Sequence, residues 1–263
     1  MRDTVWRNWA GNQLCAPTAV EHPGTEAEMV ALVKTAATAG RRVKVVGAGH
    51  SFTDIACTDG YLLRLDKYGR VLSVDAEAKT VTVQAGIPLT ELNRELVERN
   101  LAVPNLGDIA YQSVAGAVST STHGTGARIG GLATQVVGLE LITADGSVVA
   151  ANADEEPEVF AAARVGLGAL GILSTVTLQC VPAFNLHAVE EPMRLDHVLE
   201  HLDEYVDGNN HLEFFWVPHT GWAITKRNNR TDQPEGGRSR WKFVYEKMLM
   251  ENIAFGAVSG SDA

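Results

Sequence analysis

Apolar residues recur along this chain with two different periods. After Thr25-Glu26-Ala27-Glu28, the residues Met29, Leu32, Val33, Ala36 and Ala37 fall three or four apart, which predicts an amphipathic helix. Thr25 and Glu28 have the spacing of a capping box, and Gly40 marks the helix end. Val43–Val46, Tyr61–Leu65, Val71–Val74 and Thr80–Gln84 are short runs rich in β-branched and apolar residues, and they predict strands. Helical spacing returns over Thr90–Arg99, with Leu92, Leu96 and Val97 expected inward. Val136–Thr143 and Ser147–Ala150 flank Asp145-Gly146, a strong hairpin turn. Pro157 opens a short helix to Arg164. Ile172–Val181 alternates as one long strand. Short hairpins beside crossover helices predict an α+β fold built of two small subdomains.

The pattern changes near Val181-Pro182-Ala183, so residues 1–183 and 184–263 are expected to form separate units. The second opens with His187–Pro192, then a helix over Leu195–Val206 and a strand over His211–Val217. Trp216, His219 and Trp222 make it aromatic and polar. The densest basic stretch, Lys226 to Arg240, is mixed with Asn, Gly and Asp and is expected as a solvated loop. There is no internal repeat.

The net charge of −10 leaves no basic stripe to meet phosphates, which argues against a nucleic-acid partner. Three widely spaced cysteines, Cys15, Cys57 and Cys180, form no CxxC pair and suit reduced thiols in a cytoplasm. Cys57 lies near the glycine turn described next and is given no catalytic role. Arg2, Asp3 and Arg7 interrupt the start, so no signal peptide is expected. No apolar run approaches the ~20 residues of a membrane span, and peripheral membrane contact is left open.

The most informative stretch is Val45-Val46-Gly47-Ala48-Gly49-His50-Ser51-Phe52. It reads as a strand entering a tight glycine turn that carries a histidine. Successive N–H groups on such a turn cradle phosphate. A dinucleotide fingerprint would need a third glycine where Phe52 stands, which argues against an ordinary NAD site. By itself the pattern fits equally well a plain strand-to-loop turn with a surface histidine. Ser113–Gly126, SVAGAVSTSTHGTG, is a second cluster of glycines and hydroxyls in which no apolar helix period stands out. Gly116 and Gly124 permit close backbone approach, and Ser113, Ser119 and Thr122 offer hydroxyls. His123 either faces the ligand or supports the loop through a backbone hydrogen bond.

Gly47–Gly60, GAGHSFTDIACTDG, resembles the flavin-binding loop of the sugar-1,4-lactone oxidases, the gulonolactone and arabinonolactone oxidases with their alditol oxidase relatives. The resemblance begins at Asn8-Trp9-Ala10-Gly11-Asn12 and continues through Val81–Gly86, Ser119–Gly126, Leu139–Gly146 and Gly166–Val181, fading after about Asn229. It implies a two-subdomain FAD-binding domain of the vanillyl-alcohol-oxidase (PCMH) type, followed by the start of an α+β substrate or cap domain. It implies FAD held by Val46, Gly47, Ala48, Gly49, His50, Ser51, Gly107, Ser113, Gly116, Ser119, Thr122, His123, Gly124 and Ile172. His50 matches the histidine that covalent members bond to the flavin 8α-methyl, so a covalent link is expected. Gly107 matches the position beside the reactive flavin carbon, where glycine suggests access for dioxygen and hence an oxidase giving hydrogen peroxide. The implied substrate is a gulono-, galactono- or arabinono-1,4-lactone, in an ascorbate-type biosynthesis. An alditol oxidase, a lactone dehydrogenase and a non-catalytic FAD-binding remnant are the alternatives. Family members continue to a late His-Trp motif and a substrate-side lysine or arginine that nothing here matches. A C-terminally truncated member is therefore expected, with its catalytic acid or base outside the chain and poor turnover of lactone.

Overall fold

The computed structural model of the chain describes residues 5–234 and Gly236. Helix α1, Glu26–Thr38, carries Ala19–Glu21 over to Val43–Val46. Both strands run parallel to Tyr61–Arg64, which lies between them. The Thr25 hydroxyl accepts from the Glu28 amide at 3.2 Å, as a capping box requires. The Glu28 carboxylate reaches back past Thr25 and accepts from the Gly24 amide at 2.7 Å. Met29, Val33, Leu63, Leu65 and Tyr68 form the core beneath α1.

The second subdomain is a five-stranded antiparallel sheet. Its order is Val148–Asn152, Val136–Ile142, Ile172–Gln179, Thr80–Gln84, Val71–Asp75. Helices α2 (Leu89–Val97), α3 (Val114–Ser119) and α4 (Pro157–Ala163) accompany it. Val81, Val83, Leu92, Leu96, Val114, Val118, Val176 and Leu178 make its core. Val97, expected inward, is 65% exposed, because it follows Leu96 by a ~100° step around the helix. The long strand expected to reach Val181 stops at Gln179. The buried Cys180 donates its amide to Lys79 O at 2.7 Å, and Val181–Pro182 then pairs with Leu101–Ala102. A buried relay ties the two subdomains together. Tyr68 donates to Ser174 at 3.1 Å, and Ser174 donates to the Glu26 carboxylate at 2.5 Å.

Residues 185–231 form a third layer. Asn185–Arg194 and His211–Val217 flank Trp222–Thr231 in an antiparallel sheet. The single helix expected over Leu195–Val206 is two short ones, α5 (Leu195–Glu200) and α6 (Leu202–Asp207). The backbone leaves helical values at His201, φ −110° and ψ 21°. The basic stretch is not a solvated loop as far as Thr231, because Lys226 to Thr231 lie in the central strand. Lys226 sits 2.7 Å from Glu213, and Arg227 pairs with Glu191. The cross-strand carboxylates make this run compatible with a sheet. Arg240 lies outside the described residues.

The Asp145-Gly146 turn forms as expected, with Gly146 at φ +80°. Asp145 accepts from the Thr143 hydroxyl, the Ser147 amide and the Ser147 hydroxyl, which together hold its carboxyl down to about 2. A depressed carboxyl stabilises the fold above the ordinary carboxylate range and loses that contribution as pH falls through its native value. An NMR titration should place the Asp145 midpoint near 2 in the native protein. In Thr143→Ala the midpoint should move up toward 3.8, the unperturbed value.

Candidate functional site

The strand Val43–Val46 delivers the glycine turn to a cleft between the two subdomains. Gly49 has φ +74°, which suits glycine, and a Cβ on Gly47 would overlap the Ser113 hydroxyl. Among the described residues, the amides of Ala48, Gly49, His50 and Ser51 donate to no protein oxygen. They form a concave run of free donors, the chemistry that receives an anion.

The N-terminal hairpin, Trp6–Arg7 paired with Leu14–Cys15, clamps this turn. Trp9 donates its amide to Gly49 O at 2.9 Å, and buried Asn8 donates to Ser51 O at 2.9 Å. Asn12 donates to Phe52 O at 3.0 Å. The Trp9 indole stacks on the His50 ring, with centroids 5.4 Å apart and planes 23° off parallel. No protein group among the described residues hydrogen-bonds the His50 ring. The imidazole is therefore oriented by stacking, with both nitrogens open.

The opposite wall is the start of α3. Ser113 is extended, and its hydroxyl accepts from the Gly116 amide at 3.3 Å. Val114 and Ala115 donate to Ile87 O and Ala85 O at 2.9 and 2.7 Å. These first-turn amides are engaged, whereas those of the glycine turn are not. The segment is helical without an apolar stripe because Val114, Ala115, Ala117 and Val118 are all buried. The third wall is the turn Gly166–Ile172, with Leu167, Gly168 and Gly171 at positive φ. A Cβ on Gly171 would overlap Ile142 O.

Val46, Gly47, Ala48, Gly49, His50, Ser51, Ser113, Gly116, Ser119 and Ile172 all line this one cleft. Its enclosed space is about 120 Å³. That is below the roughly 300–1,000 Å³ of ordinary ligand pockets, so a large ligand would lie along the cleft with part of its length open to solvent. The remaining expected residues, Gly107, Thr122, His123 and Gly124, do not line it. His123 and Gly124 line a second cavity of about 620 Å³ between α2 and the third layer. The His123 ring nitrogen Nδ1 lies 3.0 Å from Gly124 O, so His123 supports its own loop. Thr122 accepts from Gln112 at 3.2 Å. A Cβ on Gly107 would come within 3.1 Å of His123 O and 3.3 Å of the Thr122 methyl.

Asn8, Trp9 and Asn12 entered from sequence only as the start of the resemblance, without a role, and Gln112 was not singled out. Their contacts span up to 43 positions, so their role is not legible locally. Lys226 is another. It bridges Glu213 and, at 3.3 Å, Asp108, joining the third layer to the Gly107 turn. Burial opposes its charge, but Glu213 and Asp108 outweigh burial and hold it above its ordinary value. No group of three His, Cys, Asp or Glu suited to a metal occurs among the described residues. No helix among them is long and apolar enough to cross a membrane.

Residues 17–152 match the FAD binding domain family, and residues 176–260 match the D-arabinono-1,4-lactone oxidase family. The chain belongs to the FAD binding domain family. It is 44% identical over 97% of its length to an L-gulono-1,4-lactone dehydrogenase of Mycobacterium tuberculosis, of which it covers 58%. It is 41% identical over 91% of its length to the L-gulonolactone oxidase of Bos taurus, covering 54% of that protein. It thus spans a little over half the length of these relatives. Among solved structures it superposes on a cholesterol oxidase from B. sterolicum with a TM-score of 0.84 and 19% identity, over 98% of this chain and 54% of that one. That likeness concerns the fold.

The residues present fit FAD: free amides on one wall, a hydroxyl-bearing wall opposite, and glycines where a side chain would close the cleft. Gly47→Ala should displace Ser113 and weaken the α3 cap, costing about 1 kcal/mol in denaturant unfolding. Ser113→Ala should cost about the same. Only Gly47→Ala should also narrow the cleft, so its flavin content on purification should fall well below that of Ser113→Ala.

Proposed function

We propose that the chain is the cofactor-binding part of an FAD-dependent oxidoreductase acting on a sugar-1,4-lactone of the gulono-, galactono- or arabinono- type. In this reading residues 1–183 hold FAD and residues 184–263 begin the substrate domain. The supporting observation is the single cleft in which the free amides of 48–51 face Ser113–Ser119, inside the segment that matches the FAD binding domain family. The lactone reading draws on relatives named for gulono- and arabinono-1,4-lactones. When bound, FAD accepts two electrons from the substrate and passes them to an acceptor. The protein holds the phosphates on the glycine turn and fixes the ring end beside His50. We assign no acid–base residue within the chain. Its sparse, unpaired cysteines suit the cytoplasm, and an ascorbate-type biosynthesis is the matching role.

The test is a visible spectrum of the purified protein, then hydrogen peroxide production with gulono-, galactono- and arabinono-1,4-lactone. A protein that purifies without flavin and takes none up from excess FAD would overturn the cofactor reading.

His50 is proposed as a covalent attachment point, because its ring is oriented by Trp9 and neither nitrogen is engaged. After denaturation, flavin fluorescence should migrate with the polypeptide on a gel. His50→Ala should release all of it, and Trp9→Ala should lower the attached fraction.

Dioxygen is proposed as the acceptor on the strength of Gly107. A dehydrogenase is the second reading, favoured by the name of the mycobacterial relative. Gly107→Ala puts a methyl against the His123 carbonyl and the Thr122 methyl and tightens the turn. Stopped-flow reoxidation of the photoreduced protein by air should slow on the order of tenfold, or about 1.4 kcal/mol. The melting temperature serves as the control for the loop. Equal rates would remove the oxygen-access role and leave the dehydrogenase reading.

A further inference from the structure

The N-terminal hairpin and the segment after the glycine turn run alongside each other. Asn12 and Gln13 donate to Phe52 O at 3.0 and 3.2 Å. Further on, the Thr18 hydroxyl donates to Asp59 O at 2.8 Å. Cys15 and Cys57 lie between these two ties. The two ties bring the Cys15 and Cys57 segments side by side, and both residues are half-buried. Neither has a role in the proposed FAD chemistry.

We propose that Cys15 and Cys57 are a dithiol site that a peroxide oxidises to a disulfide, stapling the N-terminal hairpin to the loop that carries His50. The Cys15 thiolate attacks one oxygen of the peroxide, breaking its O–O bond and leaving a sulfenic acid and one molecule of water or alcohol. The Cys57 sulfur then attacks the Cys15 sulfur, and the sulfenic hydroxyl leaves as water. Two electrons pass from the two thiols to the peroxide, and both thiol protons end in the released products. Burial and the neighbouring Cys15 push the Cys57 thiol above its ordinary value, and Asp54 adds to the shift. Cys180 is the internal control. It is 2% exposed, and burial pushes its thiol up to about 11.

The staple acts on the entry of the cofactor. Trp9, Asn8 and Asn12 already hold Gly49 to Phe52 through hydrogen bonds that can open. A covalent bond at Cys15–Cys57 fixes the same two segments and restricts the parting of the cleft wall.

The test treats flavin-free protein with hydrogen peroxide, blocks remaining thiols with an alkylating agent, and maps peptides without reduction. The expected product is a Cys15–Cys57 cross-linked peptide with Cys180 alkylated. Cys57→Ser should prevent the link, and dithiothreitol should reverse it. The oxidised protein should take up added FAD more slowly than the reduced protein, by severalfold. Thiols that stay fully alkylatable, links to Cys180 or between two molecules, or unchanged FAD uptake in the linked protein would each overturn the proposal. The peptide map does not depend on flavin, so failure of the cofactor reading and failure of the dithiol site are separable.

Discussion

The cleft depends on a contact that one hydrogen atom at Gly47 makes possible. The turn after Val43–Val46 and the start of α3 approach so closely that any side chain at 47 would occupy the Ser113 hydroxyl. That hydroxyl caps α3, so the same contact sets the helix start and the cleft width. The two segments belong to different subdomains, one built on a parallel sheet and the other on an antiparallel one. Close backbone approach is therefore how the two subdomains share a wall, and glycine is the residue that allows it.

Polar groups around the cleft divide into engaged and free. The first amides of α3 are consumed by Ala85 and Ile87, which fasten the helix to the loop after Thr80–Gln84. The amides of residues 48–51 have no such partner, and the carbonyls of Gly49, Ser51 and Phe52 are instead held by Trp9, Asn8 and Asn12. The turn is thus fixed through its acceptors while its donors remain available. A rigid surface of free donors is a preorganised anion site, because no reorganisation is needed when the ligand arrives. The His50 ring follows the same logic, being held by an aromatic face and not by a hydrogen bond.

The third layer is attached mainly by polar contacts. His211 lies 2.9 Å from Thr125 O, Arg128 lies 3.3 Å from Asp207, and Lys226 reaches Asp108. The Arg128–Asp207 pair is exposed and contributes little to stability. Its value is in register, since these ties fall on the loops at residues 105–108 and 123–128 that carry Gly107 and His123. The Gly107 turn is thereby linked through Asp108 and Lys226 to the sheet proposed to begin the substrate domain.

The sequence alone determined the elements whose stabilising contacts are local. The Thr25 cap, the Asp145-Gly146 hairpin and most strand positions follow from period and turn chemistry within a few residues. The family was also legible, because its motifs are separate blocks in a fixed order. Only the tertiary structure decided which motif residues meet. Ser113 and Ser119 line the cleft of the glycine turn, while His123 and Gly124, a few residues along the same hydroxyl-rich run, line a second cavity. Linear sequence treats that run as one cluster, because a short helix with Val114, Ala115, Ala117 and Val118 all buried shows no apolar stripe. The strand over Lys226–Thr231 was hidden for a related reason. The charges of Lys226 and Arg227 are matched by Glu191, Glu213 and Asp108, which come into reach only when the sheet forms.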